Sequence, residues 1–283
     1  MIKALKLVFH VLFVSANVLV VILFILAAYS DKVSPEKSAL MALLGLGFPI
    51  LFVINLCFCV WWLLRKKWKY FFAFFASILI CWGPVSRYFP MNGRTKELPQ
   101  ENVLKVLTYN VMSYGNMEHT ASSPNKIVDY IANSGADIVC LQEYAVVRSG
   151  KGLTGKTLFK ALDMYPYRSV FQQSQSHSLA VFSKYPLSNS RQIKYKNSYN
   201  GSAVHEVDIN GKKMTLINNH LESFKLTMKD RSRYASVIRN LDSEALNNLR
   251  GSFLRKLASA FRQRARQADI IAKEIEKADT EYI

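Results

Sequence analysis

Hydrophobic and polar positions divide the chain near residue 90. Before that point three runs, Leu7 to Ala28, Ala39 to Leu64 and Tyr70 to Ser86, contain no Asp, Glu, Lys or Arg. Their 22, 26 and 17 residues extend roughly 33, 39 and 26 Å as helices, against a hydrocarbon core of about 30 Å. The pattern predicts a membrane domain over residues 1–90 with three transmembrane helices at about 7–28, 39–64 and 70–86. A signal peptide is the competing reading of the first run, since Lys3 and Lys6 precede it. That run exceeds an ordinary signal core, and two more apolar runs follow it.

Beyond a turn-prone linker at 91–102 the pattern shortens to strands and amphipathic helices. Strands are expected at Val103–Asn110, Asp137–Glu143 and Leu179–Ser183, with a short fourth at Ile193–Tyr195. Pro124–Asn133 reads as a helix with Ser122 or Ser123 near its N-cap. Ala203–Ile209 and Lys213–Asn219 flank Asn210-Gly211, a strong hairpin signal. Lys225–Lys277 reads as helical, so residues 103–283 form an α/β domain.

Side-chain alternation places three polar residues at strand ends. Asn110 shares a face with Leu104 and Val106, Glu143 with Val139 and Leu141, and His220 with Met214 and Leu216. Each sits at the C-terminal end of its strand on an apolar side. Asn, Glu and His in equivalent positions suggest one shared site at the rim of a sheet.

Charge sharpens the division. The 283 residues carry 37 Lys+Arg and 20 Asp+Glu, a formal net charge of +17. Residues 1–90 hold nine of the basic and two of the acidic side chains, and four basic ones fall between Arg65 and Lys69. The loop Tyr29–Ser38 is balanced, so the positive-inside rule puts the N-terminus and the Arg65–Lys69 cluster in the cytoplasm. Three crossings then place the C-terminal domain on the extracytoplasmic side. His10, Asn17 and Asn55 within the apolar runs suit helix-to-helix hydrogen bonding better than a transport path, because no ionisable pair accompanies them. Cys57, Cys59, Cys81 and Cys140 offer neither zinc-ligand spacing nor an internal disulfide for the C-terminal domain.

Four segments, LKVLTYNV (Leu104–Val111), ADIVCLQE (Ala136–Glu143), SLAVFSKYPL (Ser178–Leu187) and MTLINNHLES (Met214–Ser223), resemble in order and spacing the signatures of the endonuclease/exonuclease/phosphatase superfamily, the DNase I-like fold. The resemblance covers residues 103–283. It implies a four-layer α/β sandwich that hydrolyses phosphoester bonds with a divalent metal, Mg²⁺ or Mn²⁺. By the same resemblance Glu143 ligates the metal, Asn110 orients its water shell or the phosphate and shares the metal site, and His220 contacts the phosphate and stabilises charge in the transition state. Mg²⁺ suits such a site because it prefers oxygen ligands and keeps several waters. Without the family pattern, Glu143 fits a salt-bridged strand end, Asn110 a turn former and His220 a hydrogen-bonded rim histidine. His119, His177 and His205 read as solvated or structural, and Tyr144 and Asn218 as supports.

The later G-D-x-N and S-D-H motifs of the family do not occur here. The expectation is therefore an incomplete sandwich, a fragment of a longer protein, with little or no activity as it stands. Two function classes follow: a membrane-anchored metal-dependent phosphoesterase, or a non-catalytic membrane-tethered binding module on the same fold. The expected partners are the lipid bilayer and a phosphoester, whether nucleic acid, phospholipid head group or small molecule, with no obligate protein partner evident. Residues 225–273 add twelve basic against four acidic side chains, yet Leu254, Leu257, Ala258, Phe261 and Ala265 recur at helical spacing. That stretch is an amphipathic helix whose basic face suits solvent, a phosphate-rich substrate or a membrane surface.

Overall fold

The computed structural model describes residues 2–91, 93, 103–116, 119–120, 123–147, 152–174, 177–224, 232, 236, 243–280 and 282–283. The chain forms two compact units, Met1–Lys96 with Ser223–Arg266, and Glu97–Glu222 with Gln267–Ile283.

In the first unit α1 (Ile2–Ala28) is a single helix long and apolar enough to cross a membrane. Its outer residues, Leu7, Leu12 and Leu19 among them, are exposed. The second and third expected spans are not continuous helices. α2 (Ala39–Leu46) and α3 (Phe48–Leu64) meet at a bend of 55°, and α4 (Trp68–Ile80) and α5 (Trp82–Tyr88) at 62°. The first break falls at Gly47-Phe48-Pro49, where Pro49 lacks an N–H for the preceding turn. Among the described residues one helix is thus long and apolar enough to cross a membrane, or up to three if each bent pair counts as one span.

The polar residues of the apolar runs bond between helices. Trp62 Nε1 donates to Asn17 Oδ1 at 2.9 Å, Asn55 Nδ2 donates to Ser77 Oγ at 2.8 Å, and His10 Nε2 lies 3.1 Å from the Tyr70 hydroxyl. At the other end, Tyr29 donates to the Ile80 carbonyl and Asp31 lies 3.7 Å from Arg87.

The second unit is a mixed α/β fold with two sheets. The first has the order β1-β2-β4-β3, with β1 (Val106–Asn110), β2 (Ile138–Tyr144), β3 (Tyr167–Gln172) and β4 (Ser178–Ser183). β1 and β2 are parallel and joined through α6 (Lys126–Ala132), while β4 is antiparallel to its neighbours β2 and β3. The second sheet is the meander β5 (Leu187–Lys194), β6 (Gly201–Ile209) and β7 (Lys212–His220). Its β6–β7 turn places both Asn210 (φ 54°) and Gly211 (φ 86°) in the left-handed region, as a two-residue type I′ hairpin requires.

Val139, Leu141, Tyr144 and Phe182 of the first sheet pack against Val128 and Ile131 of α6 and Leu158 of α7 (Gly155–Ala161). On the opposite face Ile138, Cys140 and Val181 meet Val207 of the second sheet. β2, buried on both sides, is one of the two inner strands of its sheet, which explains its nearly continuous apolar sequence. The last long helix, α8 (Ser243–Glu276), brings Ile271 and Ile275 beside Thr215 and Ile217 of β7, and its Glu274 pairs with Arg191 of β5.

The N-cap of α6 is Asn125, whose Oδ1 accepts the Ile127 and Val128 N–H groups, not Ser123. Ser122 lies outside the described residues. Part of the expected Lys225–Lys277 helix also lies outside them; Ser232 and Ser236 are helical, and the long helix begins at Ser243.

Candidate functional site

Asn110 ends β1, His220 ends β7, and Glu143 is the penultimate residue of β2. The fold brings these three together. Asn110 Nδ2 donates to Glu143 Oε1 at 2.9 Å, and His220 Nε2 lies 3.5 Å from the same oxygen. Asn110 Oδ1 accepts the Met112 N–H at 3.0 Å, which orients the amide so that its nitrogen faces the carboxylate. One residue after β1, Met112, Ser113, Tyr114 and Gly115 all have positive φ, a left-handed turn.

Simple alternation misplaces Glu143. The face of Val139 and Leu141 looks toward α6 and α7, so a regular strand would aim Glu143 into that helix layer. Instead Glu143 has φ 52°, and the β2–β4 register shifts between Leu141 and Tyr144. This bulge returns Tyr144 to the helix side and turns Glu143 toward the strand ends. A non-glycine residue in this region carries backbone strain of order 1–3 kcal/mol, a cost that tends to concentrate at functional positions.

Beneath the site the two sheets are joined by polar contacts. Gln142 Nε2 donates to Asn218 Oδ1 at 2.7 Å and to Thr108 Oγ1 at 3.1 Å. Asn218 Nδ2 lies 3.2 Å from both the Leu141 and Ala180 carbonyls. Asn218 is buried and satisfied, the supporting role its position in the sequence suggests.

His220 is mostly buried, and burial holds its pKa below the ordinary histidine value. The positive charge of His177 pushes the same way, while the Glu143 and Glu222 carboxylates oppose it. His220 Nδ1 is buried without a hydrogen-bond partner among the described residues. His177 and Glu222 therefore belong to the electrostatic surroundings of His220; the sequence reading had His177 as solvated or structural and did not single out Glu222. Glu222 stands two residues beyond His220, buried, and accepts from the Ser198 hydroxyl at 2.6 Å. Its closeness in sequence was the available signal. His205 stays apart, with its Nδ1 2.8 Å from Ser190 Oγ in the core between the sheets. His119 Nδ1 accepts the Asn125 N–H, a structural bond at the start of α6.

No group of three or more His, Cys, Asp or Glu side chains able to hold a metal occurs among the described residues. Glu143, partly exposed and bonded through one oxygen to Asn110, is a hard donor of the kind a largely hydrated Mg²⁺ accepts. The donor set fits an ion held by a single carboxylate and its own waters.

A family model described as "Endonuclease/Exonuclease/phosphatase family" matches residues 107–278. The chain belongs to this family. A second model, "Domain of unknown function (DUF8431)", matches residues 10–88, the apolar region. No curated protein matches the chain. Among solved structures, an endonuclease/exonuclease/phosphatase from Beutenbergia cavernae is 17% identical over 49% of this chain and 44% of its own, with a TM-score of 0.34. TDP2 of D. rerio, complexed with a single-strand DNA product, is 19% identical over 50% and 55%, with a TM-score of 0.36. Sphingomyelinase C from Streptomyces griseocarneus is 22% identical over 42% and 49%, with a TM-score of 0.29. The chain spans about half the length of these structures.

Proposed function

We propose that this protein is a membrane-anchored phosphoesterase of the endonuclease/exonuclease/phosphatase family. The observation that carries the reading is the convergence of Asn110 and His220, from strands in two different sheets, onto one carboxylate oxygen of Glu143. Glu143 would hold Mg²⁺ or Mn²⁺, and such an ion, when bound, polarises a phosphoryl oxygen and stabilises charge on the leaving group. Asn110 fixes the Glu143 carboxylate through its amide. His220, neutral above its lowered pKa, offers a ring nitrogen to a phosphate oxygen beside Glu143. The partly buried setting strengthens that contact relative to water.

The membrane reading puts the N-terminus in the cytoplasm and the phosphoesterase unit outside it, with residues 1–90 as the anchor, 91–102 as the linker and 103–283 as the family domain. Contacts within the first unit support this arrangement. The His10–Tyr70 contact draws the start of α1 to the start of α4, beside the basic cluster, while Asp31–Arg87 draws the end of α1 to α5. Those pairings fit three crossings.

The test is hydrolysis by the full chain in detergent or nanodiscs, with and without Mg²⁺, on DNA, sphingomyelin and a chromogenic phosphodiester. Metal-dependent turnover by the wild type that Glu143→Gln loses supports the reading. Equal turnover by the variant removes Glu143 from it. A second reading, a non-catalytic tethered module, is favoured by the lack of any group of three or more metal-ligating side chains among the described residues, and binding of a phosphoester without turnover would select it.

A further inference from the structure

Arg255, Ser259, Arg262 and Arg266 are all exposed on α8. At about 100° per residue they fall within an arc of roughly 60°. Leu257 and Ala260 lie on the other side and are buried. Phe261 packs edge-on to Phe224 at 5.6 Å, and the Arg264 guanidinium sits 5.4 Å above the same ring. This stretch of α8 thus has a packed side within the first unit and a basic side outside it. Residues 251–266 contain five basic side chains and no acidic one.

The basic side has a direction. Arg266 pairs with Glu36, which lies in the segment between α1 and α2. Glu36 is three residues before Ala39, the first residue of α2, so the chain holds it within about 10 Å of that apolar helix. The head-group layer is about 5–7 Å thick on each side, and the Debye length in physiological salt is about 8 Å. A guanidinium touching Glu36 therefore stands where anionic head groups attract it.

We propose that Arg255, Arg262 and Arg266 bind anionic phospholipid head groups on the membrane face beside Glu36 and hold α8 at the bilayer surface. The proposal rests on the membrane-anchored reading above. It adds a lipid contact that the apolar helices do not supply, since those helices are indifferent to head-group charge. Each arginine near an anionic surface strengthens such docking about fivefold.

The experiment uses the full chain carrying Cys57→Ser, with a spin label at Ser259→Cys, in nanodiscs that include a lipid whose head group chelates nickel. Cys59, Cys81 and Cys140 are buried and do not compete for label. The expected result is line broadening by the head-group nickel when the disc contains phosphatidylglycerol, and little in phosphatidylcholine alone. The broadening falls with added salt, falls with each Arg→Gln change at 255, 262 and 266, and survives the three Arg→Lys changes. Equal broadening in both lipids, or none lost in the triple Gln variant, overturns the proposal. Protection of the label by a DNA oligonucleotide without any nickel contact also overturns it, in favour of nucleic acid. An alkaline carbonate wash separates the two readings. A chain that stays in the membrane but shows no head-group contact defeats only this proposal, whereas release into the wash defeats the anchor as well.

Discussion

The side-chain amide of Asn110 donates to Glu143 at 2.9 Å, and the Glu143 backbone that presents this carboxylate is turned into the left-handed region. Position 143 is therefore held by its surroundings against its own conformational preference.

Replacing Glu143 by Gly or by Gln removes the carboxylate in both cases, but only Gly relieves the backbone. The Gly variant should be more stable than the Gln variant by about 1–2 kcal/mol, the cost of a left-handed conformation for a side chain with a Cβ. Thermal or denaturant melts of the two variants in the same detergent check this. A Gln variant as stable as the Gly variant would remove strain from the account.

The pH dependence of hydrolysis should follow His220. Burial, aided by His177, outweighs Glu143 and Glu222 and lowers its pKa from 6.5. The neutral ring consequently persists to more acid pH than an ordinary histidine would allow. The acid limb of kcat/KM should lie below pH 6.5 and shift further down in Glu222→Gln, because that carboxylate favours the protonated ring. His220→Ala should cost about 10²–10³-fold in kcat, the usual loss for a group that stabilises developing charge.

Stability should carry a separate histidine signature. His205 is fully buried and its pKa is pushed down to about 4 by desolvation. Unfolding lets it return to about 6.5, so the unfolded chain binds more protons between these values. Its contribution is intact above pH 6.5 and is lost as pH falls toward 4. His205→Leu should flatten the stability profile across that window, and an unchanged slope would reject the assignment.

Asn218→Ala should cost about 2–4 kcal/mol, because it strips a partner from the buried Gln142 amide and from the Leu141 and Ala180 carbonyls together. Gln142→Leu in the same background should add less than its single-variant cost, since the two side chains share one bond.

In the apolar helices Asn17→Leu should be mild. Its bond to Trp62 is buried, but interhelical hydrogen bonds in membranes average only about 0.6 kcal/mol. A double-mutant cycle with Trp62→Phe measures the coupling directly.

The strands that carry the site were legible because they are apolar and periodic. β2 and β7 appear almost at their observed bounds, and the faces assigned to Asn110 and His220 are the ones they occupy. The face of Glu143 was not legible, since a bulge of one residue leaves no mark in an apolar/polar pattern. β3 was missed, and only the tail of β5 was read. Both are edge strands with many exposed positions, so little burial is written into their sequences. The bends at Gly47 and Cys81 escaped for the opposite reason. Hydropathy records that a segment is apolar throughout and says nothing of its axis.

Because Glu143 and Asn110 stand on one sheet and His220 on the other, neither sheet owns the site. The β6–β7 hairpin can form locally around its tight turn, within about 1–10 μs. Union of the three side chains must wait for the sheets to dock, a slower event governed by contacts distant in sequence. The three side chains therefore report on the docking of the two sheets, and no part of the chain that folds as one sheet alone can hold them together.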